Sequence, residues 1–186
     1  MRLIDRDEVA RRLTYEVCIP LVREAMIALS KGETLQLLRT ILTLSEGRML
    51  GVMTGAMSAH AAFGAKLISV FHGNFAREIQ SHQGLVILFD PDTGAPVCVV
   101  HAGEITAIRT AAASAVATDA LARKDARRLT LLGYGEQAET HARAMVKVRE
   151  VASIVVWGRS VERALAFAER MQAELEGSGE GGGGGS

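Results

Sequence analysis

The stretch Leu129-Thr130-Leu131-Leu132-Gly133-Tyr134-Gly135-Glu136-Gln137-Ala138 decides how the second half of this chain folds. An apolar run ends in GxGxxA, and the amphipathic segment EQAETHARAMVKV opens on that motif. In a strand-turn-helix unit Gly133 permits the tight turn and Gly135 lets a pyrophosphate approach the backbone. Ala138 is small enough for the helix to lie close on its strand. The bare spacing also fits a ligand-free connection, but here a second strand, SIVVWG, and a second helix, VERALAFAERMQAEL, follow. The order β-α-β-α opens a doubly wound parallel sheet. Its second strand ends in Val156-Trp157-Gly158-Arg159-Ser160, where an acidic residue would bind a free ribose 2′-hydroxyl. Arg159 and Ser160 suit a 2′-phosphate instead, which favours NADP with NAD still possible; the plain alternative is an exposed loop arginine.

Upstream, residues 103–123 are rich in alanine and lack internal Gly or Pro, which predicts one long, closely packed helix. Before it come short runs rich in Leu, Val, Ile and Thr: LQLLRTILTL, RMLGVMTG, AKLISVFH, LVILFD and APVCVV. These read as strands of one sheet. Asp90-Pro91-Asp92-Thr93-Gly94 supplies a preset φ at proline and a positive φ at glycine, so the last two runs form an antiparallel hairpin. Asp5 and Glu8 form a capping box, and Pro20 suits the first turn of a second helix that stops at Gly32. The expected domains are residues 1–123, residues 124–176 and a Gly-rich tail or linker over 177–186.

With 21 basic and 21 acidic residues among 186, the chain has no electrostatic reason to bind nucleic acid or an anionic membrane. No apolar stretch reaches the roughly 18 residues that span a bilayer, and the charged start MRLIDRDEVARRL is unlike a signal peptide, so a cytoplasmic protein is expected. Cys18 and Cys98 are too isolated for a disulfide framework or a zinc site and read as small buried hydrophobes. His60, His72, His101 and His141 have no metal-ligand spacing, and no metal is expected. GxSxG is absent, against hydrolase chemistry.

Three cations stand in awkward places: Arg39 in an apolar segment, Lys66 at the start of AKLISVF, and Arg109 in the alanine-rich helix. Each either snorkels to solvent or lines a cavity that receives an anion. His82, in SHQG, reads equally as a hydrogen-bonding site residue or a loop histidine.

Together, GVMTG, GAKLISVF, SHQG, LFDPDTGAPVCVV, GEITAIRTAAASAVAT, LLGYGEQAETHARA and VVWGRS resemble the ornithine cyclodeaminase and mu-crystallin family, in the family's order over about residues 35–175. The resemblance implies an N-terminal α+β domain for substrate binding and homodimer formation, followed by a Rossmann NAD(P)-binding domain of which only the first half is visible. By matching positions, Arg39 and Arg109 clamp a substrate carboxylate, Lys66 is the hydrogen-bonding or acid-base group at the reacting carbon, and Thr110 lies near the cofactor phosphates. The expected partner is a small amino or imino acid. Three readings remain open at this point: NAD(P)H-dependent reduction of a cyclic ketimine of the Δ1-pyrroline-2-carboxylate type, conversion of L-ornithine to L-proline plus ammonia, and a non-catalytic protein that binds a cofactor or small ligand or is an inactive fragment. Members of the family continue well beyond the two β-α units, so the chain is expected to be truncated within the Rossmann domain, and GSGEGGGGGS reads as a linker or low-complexity end.

Overall fold

The computed structural model describes residues 1–58, 61–77 and 79–177; His60 and the tail from residue 178 lie outside the described residues. The architecture is mixed α/β, and the chain divides into two compact units. The first holds Met1–Thr14 and Arg23–Thr106, and the second Tyr15–Val22 and Ala107 onwards. One boundary falls at the start of α2 (Tyr15–Ser30), and the other two fall inside α2, after Val22, and inside α3 (Ala102–Leu121), after Thr106.

The first unit is built on a seven-stranded sheet: β1 (Arg2–Ile4), β2 (Thr34–Gln36), β3 (Thr40–Ser45), β4 (Arg48–Met57), β5 (Ala62–Phe71), β6 (His82–Phe89) and β7 (Pro96–His101). The order is β1-β7-β6-β5-β4-β2, with β3 also on β4, and only β1 on β7 is parallel. The β6–β7 hairpin forms as its turn chemistry predicts. The Asp90 carboxylate accepts from the backbone N–H groups of Asp92 (3.1 Å) and Thr93 (2.8 Å) and from the Thr93 hydroxyl (2.8 Å), while Gly94 takes φ +71°. Those donors, the Thr93 hydroxyl first, hold the Asp90 carboxyl below its usual range.

LQLLRTILTL is not one strand. β2 and β3 pair in succession with β4, Gln36 opposite Gly55 and Thr40 opposite Val52, so the edge spends one residue more than β4 between those two pairs. The extra residue makes a bulge over 37–39, which ends one ladder and begins the next. Short apolar runs cannot reveal such a slip, because both halves carry the same β-forming residues. β1 was likewise not expected: three residues are too few for a periodic signal, and only pairing with β7 defines them. α1 (Arg6–Arg12) packs Val9 with Ile4, Leu13, Val86, Cys98, Val100 and Ile105 to form this unit's core. Asp5 caps α1 at Glu8 N–H (2.8 Å), but the Glu8 carboxylate pairs with Arg2 and Arg12.

In the second unit β8 (Arg128–Leu132) lies parallel to β9 (Ser153–Trp157), with α4 (Glu136–Met145) and α5 (Val161–Gly177) on the face that carries Leu131 and Val156. Leu131, Ala142, Phe167 and Met171 are its buried core. Leu132, Val155 and Trp157, on the opposite face, are exposed. The Arg149 side chain, 8% exposed, donates to the carbonyls of Thr118 (2.8 Å), Asp119 (3.0 Å) and Ala122 (3.1 Å), so it satisfies the carbonyls left over at the C-terminus of α3. His141 Nδ1 donates to Gln137 O (2.6 Å), which leaves Nε2 to meet the Ser114 hydroxyl (3.0 Å) and ties α4 to α3.

The expectation for Pro20 is overturned: α2 starts at Tyr15 and Pro20 lies inside it. Tertiary bonds hold the preceding turn against proline's cost. The Tyr15 hydroxyl donates to Thr140 O (2.9 Å), and Glu16 pairs with Lys147 (2.8 Å). No helix among the described residues is long and apolar enough to cross a membrane.

Glu139 of α4 joins Arg170 (2.8 Å) and Arg143 (2.7 Å), and Arg143 also pairs with Glu174 of α5 (2.5 Å). The Arg170 hydrogen bond above all holds the Glu139 carboxyl below its ordinary range. A depressed pKa adds stability that is present above the unfolded-state value and is lost as pH falls through the folded one. The melting temperature of Glu139→Gln is therefore expected to fall less than the wild type's between pH 6 and pH 3, and at pH 7 the variant should be about 1 kcal/mol less stable. Gly84 supplies a second test: a Cβ there runs into the Leu67 carbonyl and comes to 2.9 Å from Ile68 Cα, so Gly84→Ala should lower stability by about 2–3 kcal/mol in urea denaturation.

Candidate functional site

In the first unit the site begins with a bare patch of sheet. Pairing places Lys66 of β5 between Met53 of β4 and Val86 of β6. Because side chains alternate along a strand, the diagonal and next-but-one positions on the same face include Gly51 and Gly55 of β4, Gly64 of β5 and Gly84 of β6. Four glycines thus share one face of the sheet with a single lysine, beside Met53, Val86 and Ile68. Beta-carbons at Gly64 and Gly84 would collide with the neighbouring strand's backbone, so the bareness is built into the ladder.

Lys66 is half-buried, and its ammonium donates to the Thr106 hydroxyl (2.5 Å). That hydroxyl donates in turn to Ala102 O (2.6 Å), which turns its lone pairs towards the lysine. Arg39 comes from the bulge, and its Cδ lies 3.9 Å from where a Gly51 Cβ would stand, which puts the arginine on the Lys66 face. The one-residue slip is what delivers an edge-strand guanidinium there. His82 is on the same face, opposite Val70, as the first residue of β6 and not in a loop. It joins the strand because the β5–β6 ladder continues through Phe71 N–H to Ser81 O (2.9 Å). Its Nδ1 meets the Ser81 hydroxyl at 2.8 Å, and the ring is exposed.

In the second unit Arg109 is exposed on α3 and Thr110 half-buried beside it. Arg109 acts electrostatically on Cys18: burial pushes the thiol pKa up, and the arginine's charge pulls it down by less. Gly133 takes φ +117°, a conformation that side chains resist, and its N–H donates to Trp157 O (2.8 Å). Gly135 is the N-cap of α4 without any side-chain cap bond. Nothing stands within 4 Å of a Cβ built on either glycine. The first-turn N–H groups of α4, including that of exposed Gln137, therefore border open space suited to a pyrophosphate. Ala138 packs onto the core, which lets α4 sit close on β8. Arg159 is exposed, and Ser160 caps α5 by accepting Arg163 N–H (3.3 Å).

The sequence reading missed Thr106, the sheet glycines and Tyr134. Thr106 carried a signal in its place three residues before Arg109, one helical turn away. Cys18 and Cys98 are buried, and no three His, Cys, Asp or Glu able to hold a metal come together among the described residues.

Residues 2–178 match the model of the ornithine cyclodeaminase/mu-crystallin family. The chain belongs to that family. It is 33% identical over 177 residues to ketimine reductase mu-crystallin of Rattus norvegicus, covering 92% of this chain and 56% of the relative. It is 31% identical over 176 residues to the Δ1-pyrroline-2-carboxylate reductase of Bacillus cereus (strain ZK / E33L), covering 94% and 54%. Among solved structures, Thermococcus litoralis Δ1-pyrroline-2-carboxylate reductase in complex with NADH and L-proline superimposes with TM-score 0.88 at 32% identity, over 95% of this chain and 55% of that one. The chain thus spans about half the length of the relatives it matches, and the family's Rossmann portion is represented by β8, β9, α4 and α5.

Ser160→Ala removes the α5 cap and should cost about 1 kcal/mol in thermal or urea unfolding, while Ser160→Asp, which keeps an acceptor at the N-cap, should retain most of it.

Proposed function

We propose that this chain carries the substrate-carboxylate and pyrophosphate-binding parts of an NAD(P)H-dependent reductase that converts a cyclic ketimine of the Δ1-pyrroline-2-carboxylate type to an L-imino acid. The observation that carries the reading is the pair Arg39 and Lys66 on one glycine-bared face of the first unit's sheet. A guanidinium binds the ketimine's carboxylate through paired hydrogen bonds, and an ammonium close by meets its nitrogen. The similarity to a solved reductase holding NADH and L-proline supports the same chemistry.

In this reading Arg39 and Arg109 bind the carboxylate, His82 adds a hydrogen bond to the substrate, and Lys66 holds the proton that the ring nitrogen gains. Thr106 keeps the lysine's ammonium on the sheet face and restricts its rotamers. Gly133, Gly135, Gln137 and Ala138 shape the open cradle at α4, with Thr110 assigned to the cofactor phosphates. The bound dinucleotide supplies the hydride delivered to C2. NADP is preferred over NAD, because the end of β9 offers Gly158, Arg159 and Ser160 and no carboxylate for a free 2′-hydroxyl. A homodimer is assigned from the first unit, where every residue of β3 is exposed, including Ile41, Leu42 and Leu44. Cytoplasmic localisation follows from the same reading.

The test is NADPH consumption in the presence of Δ1-pyrroline-2-carboxylate, with proline identified as product. Lys66→Met and Arg39→Ala should each lower turnover at least a hundredfold without lowering the melting temperature by more than a few degrees. Unchanged turnover in both variants, or ammonia release from L-ornithine by the wild type, would sink the assignment.

A further inference from the structure

The cations of the second unit fall into two sets. Arg127, Arg143, Arg149, Arg170 and Lys147 each sit on a carboxylate. Arg109, Arg128, Arg159 and Arg163 meet no carboxylate among the described residues, and of these Arg159 and Arg163 bracket the start of α5. Two unpaired guanidiniums four residues apart, at the end of β9 and the first turn of α5, suit an anionic partner from outside the chain.

Arg163 is nonetheless held. Its guanidinium carbon lies 5.0 Å from the centroid of the Tyr134 ring, a cation–π contact. Tyr134 is the variable residue of the GxGxxA turn, half-buried and packed against the Leu131–Phe167 core, so the face it offers Arg163 is fixed from below. The same ring covers Gly158: a Cβ there would come to 2.6 Å from Tyr134 Cδ1 and closer still to Cε1. Tyrosine thus fills the space a side chain at residue 158 would need, the position from which a carboxylate would bind a free ribose hydroxyl. The turn, the end of β9 and the first turn of α5 are locked together, and the group they present is a guanidinium. Ser160 fixes the helix start by accepting the Arg163 N–H (3.3 Å). Glu162 is the acid of that turn, and as the chain neighbour of Arg163 it points elsewhere on the helix.

Resting on the NADP reading above, we infer that Arg163, pre-positioned on the Tyr134 ring, is a second phosphate-reading residue of this chain. With Arg159 it selects a nucleotide that carries a phosphate on its adenosine ribose. Tyr134 is the positioning residue: it excludes a side chain at residue 158 and holds the guanidinium in one orientation, so that less rotamer freedom is lost on binding.

Isothermal titration of the whole chain with NADPH, NADH and adenosine 2′,5′-bisphosphate at fixed ionic strength tests this. Arg163→Ala is expected to weaken NADPH and the bisphosphate at least tenfold and to change NADH less than twofold. Tyr134→Leu, which keeps apolar bulk but removes the aromatic face, should weaken NADPH and the bisphosphate by a smaller factor with NADH again little changed, and Arg163→Lys should recover part of the loss. Arg163 is exposed, so its variants should melt like the wild type. If Arg159→Ala abolishes the NADPH preference while Arg163→Ala leaves it intact, the NADP reading stands and this inference falls. If the wild type binds both cofactors alike, or neither, both fall.

Discussion

Ala102, Ala111, Ala112 and Ala115 of α3 are wholly buried, and Ala107, Ile108 and Val116 nearly so. A helix clothed in methyl groups lets its neighbours pack close to its backbone, and each added methylene at such a position costs on the order of 1–3 kcal/mol. That constraint runs through the chemistry as well. Thr106, Arg109 and Thr110 interrupt the alanines at helical spacing, and Thr106 meets Lys66 as Ser114 meets His141. One helix therefore gives Thr106 to the first unit and Arg109 and Thr110 to the second, and Arg149 secures its far end by closing three of its terminal carbonyls.

What could be read from the residues alone was what local stereochemistry enforces. Gly133 and Gly94 announce positive φ, alanine runs announce a packed helix, and the Asp90 turn announces its own hydrogen bonds. What could not be read depends on a partner elsewhere in the chain. Pro20 looks like a helix opener until Tyr15 and Glu16 are found anchored to residues far along the sequence. His82 looks like a loop residue until the ladder to β5 is seen to continue past it. Lys66 and Arg39 are conspicuous as cations in apolar strands, but nothing in their own neighbourhoods says that a bulge and a set of glycines put them on one face.

The glycines of that face have two roles. Gly64 and Gly84 are required by close backbone approach, so replacing either would disturb the sheet before it affected any ligand. Gly51 is less severe: a Cβ there meets Ile68 at 3.3 Å and the Arg39 side chain at 3.9 Å. A change at Gly64 or Gly84 therefore also moves the strand that carries Lys66 or its neighbour in the sheet. Gly133 and Gly135 differ, because the space before them is open and only the first is held by its dihedral angle.

Trp157 is the chain's one tryptophan, and it ends β9 as a residue 66% exposed, with its carbonyl bonded to Gly133 N–H. An indole emits where a reduced nicotinamide absorbs. The Gly133 turn is thereby wired by a single hydrogen bond to the molecule's only strong intrinsic fluorophore, and under the proposed function the chain would carry its own optical reporter of a dinucleotide at that turn, without any label attached.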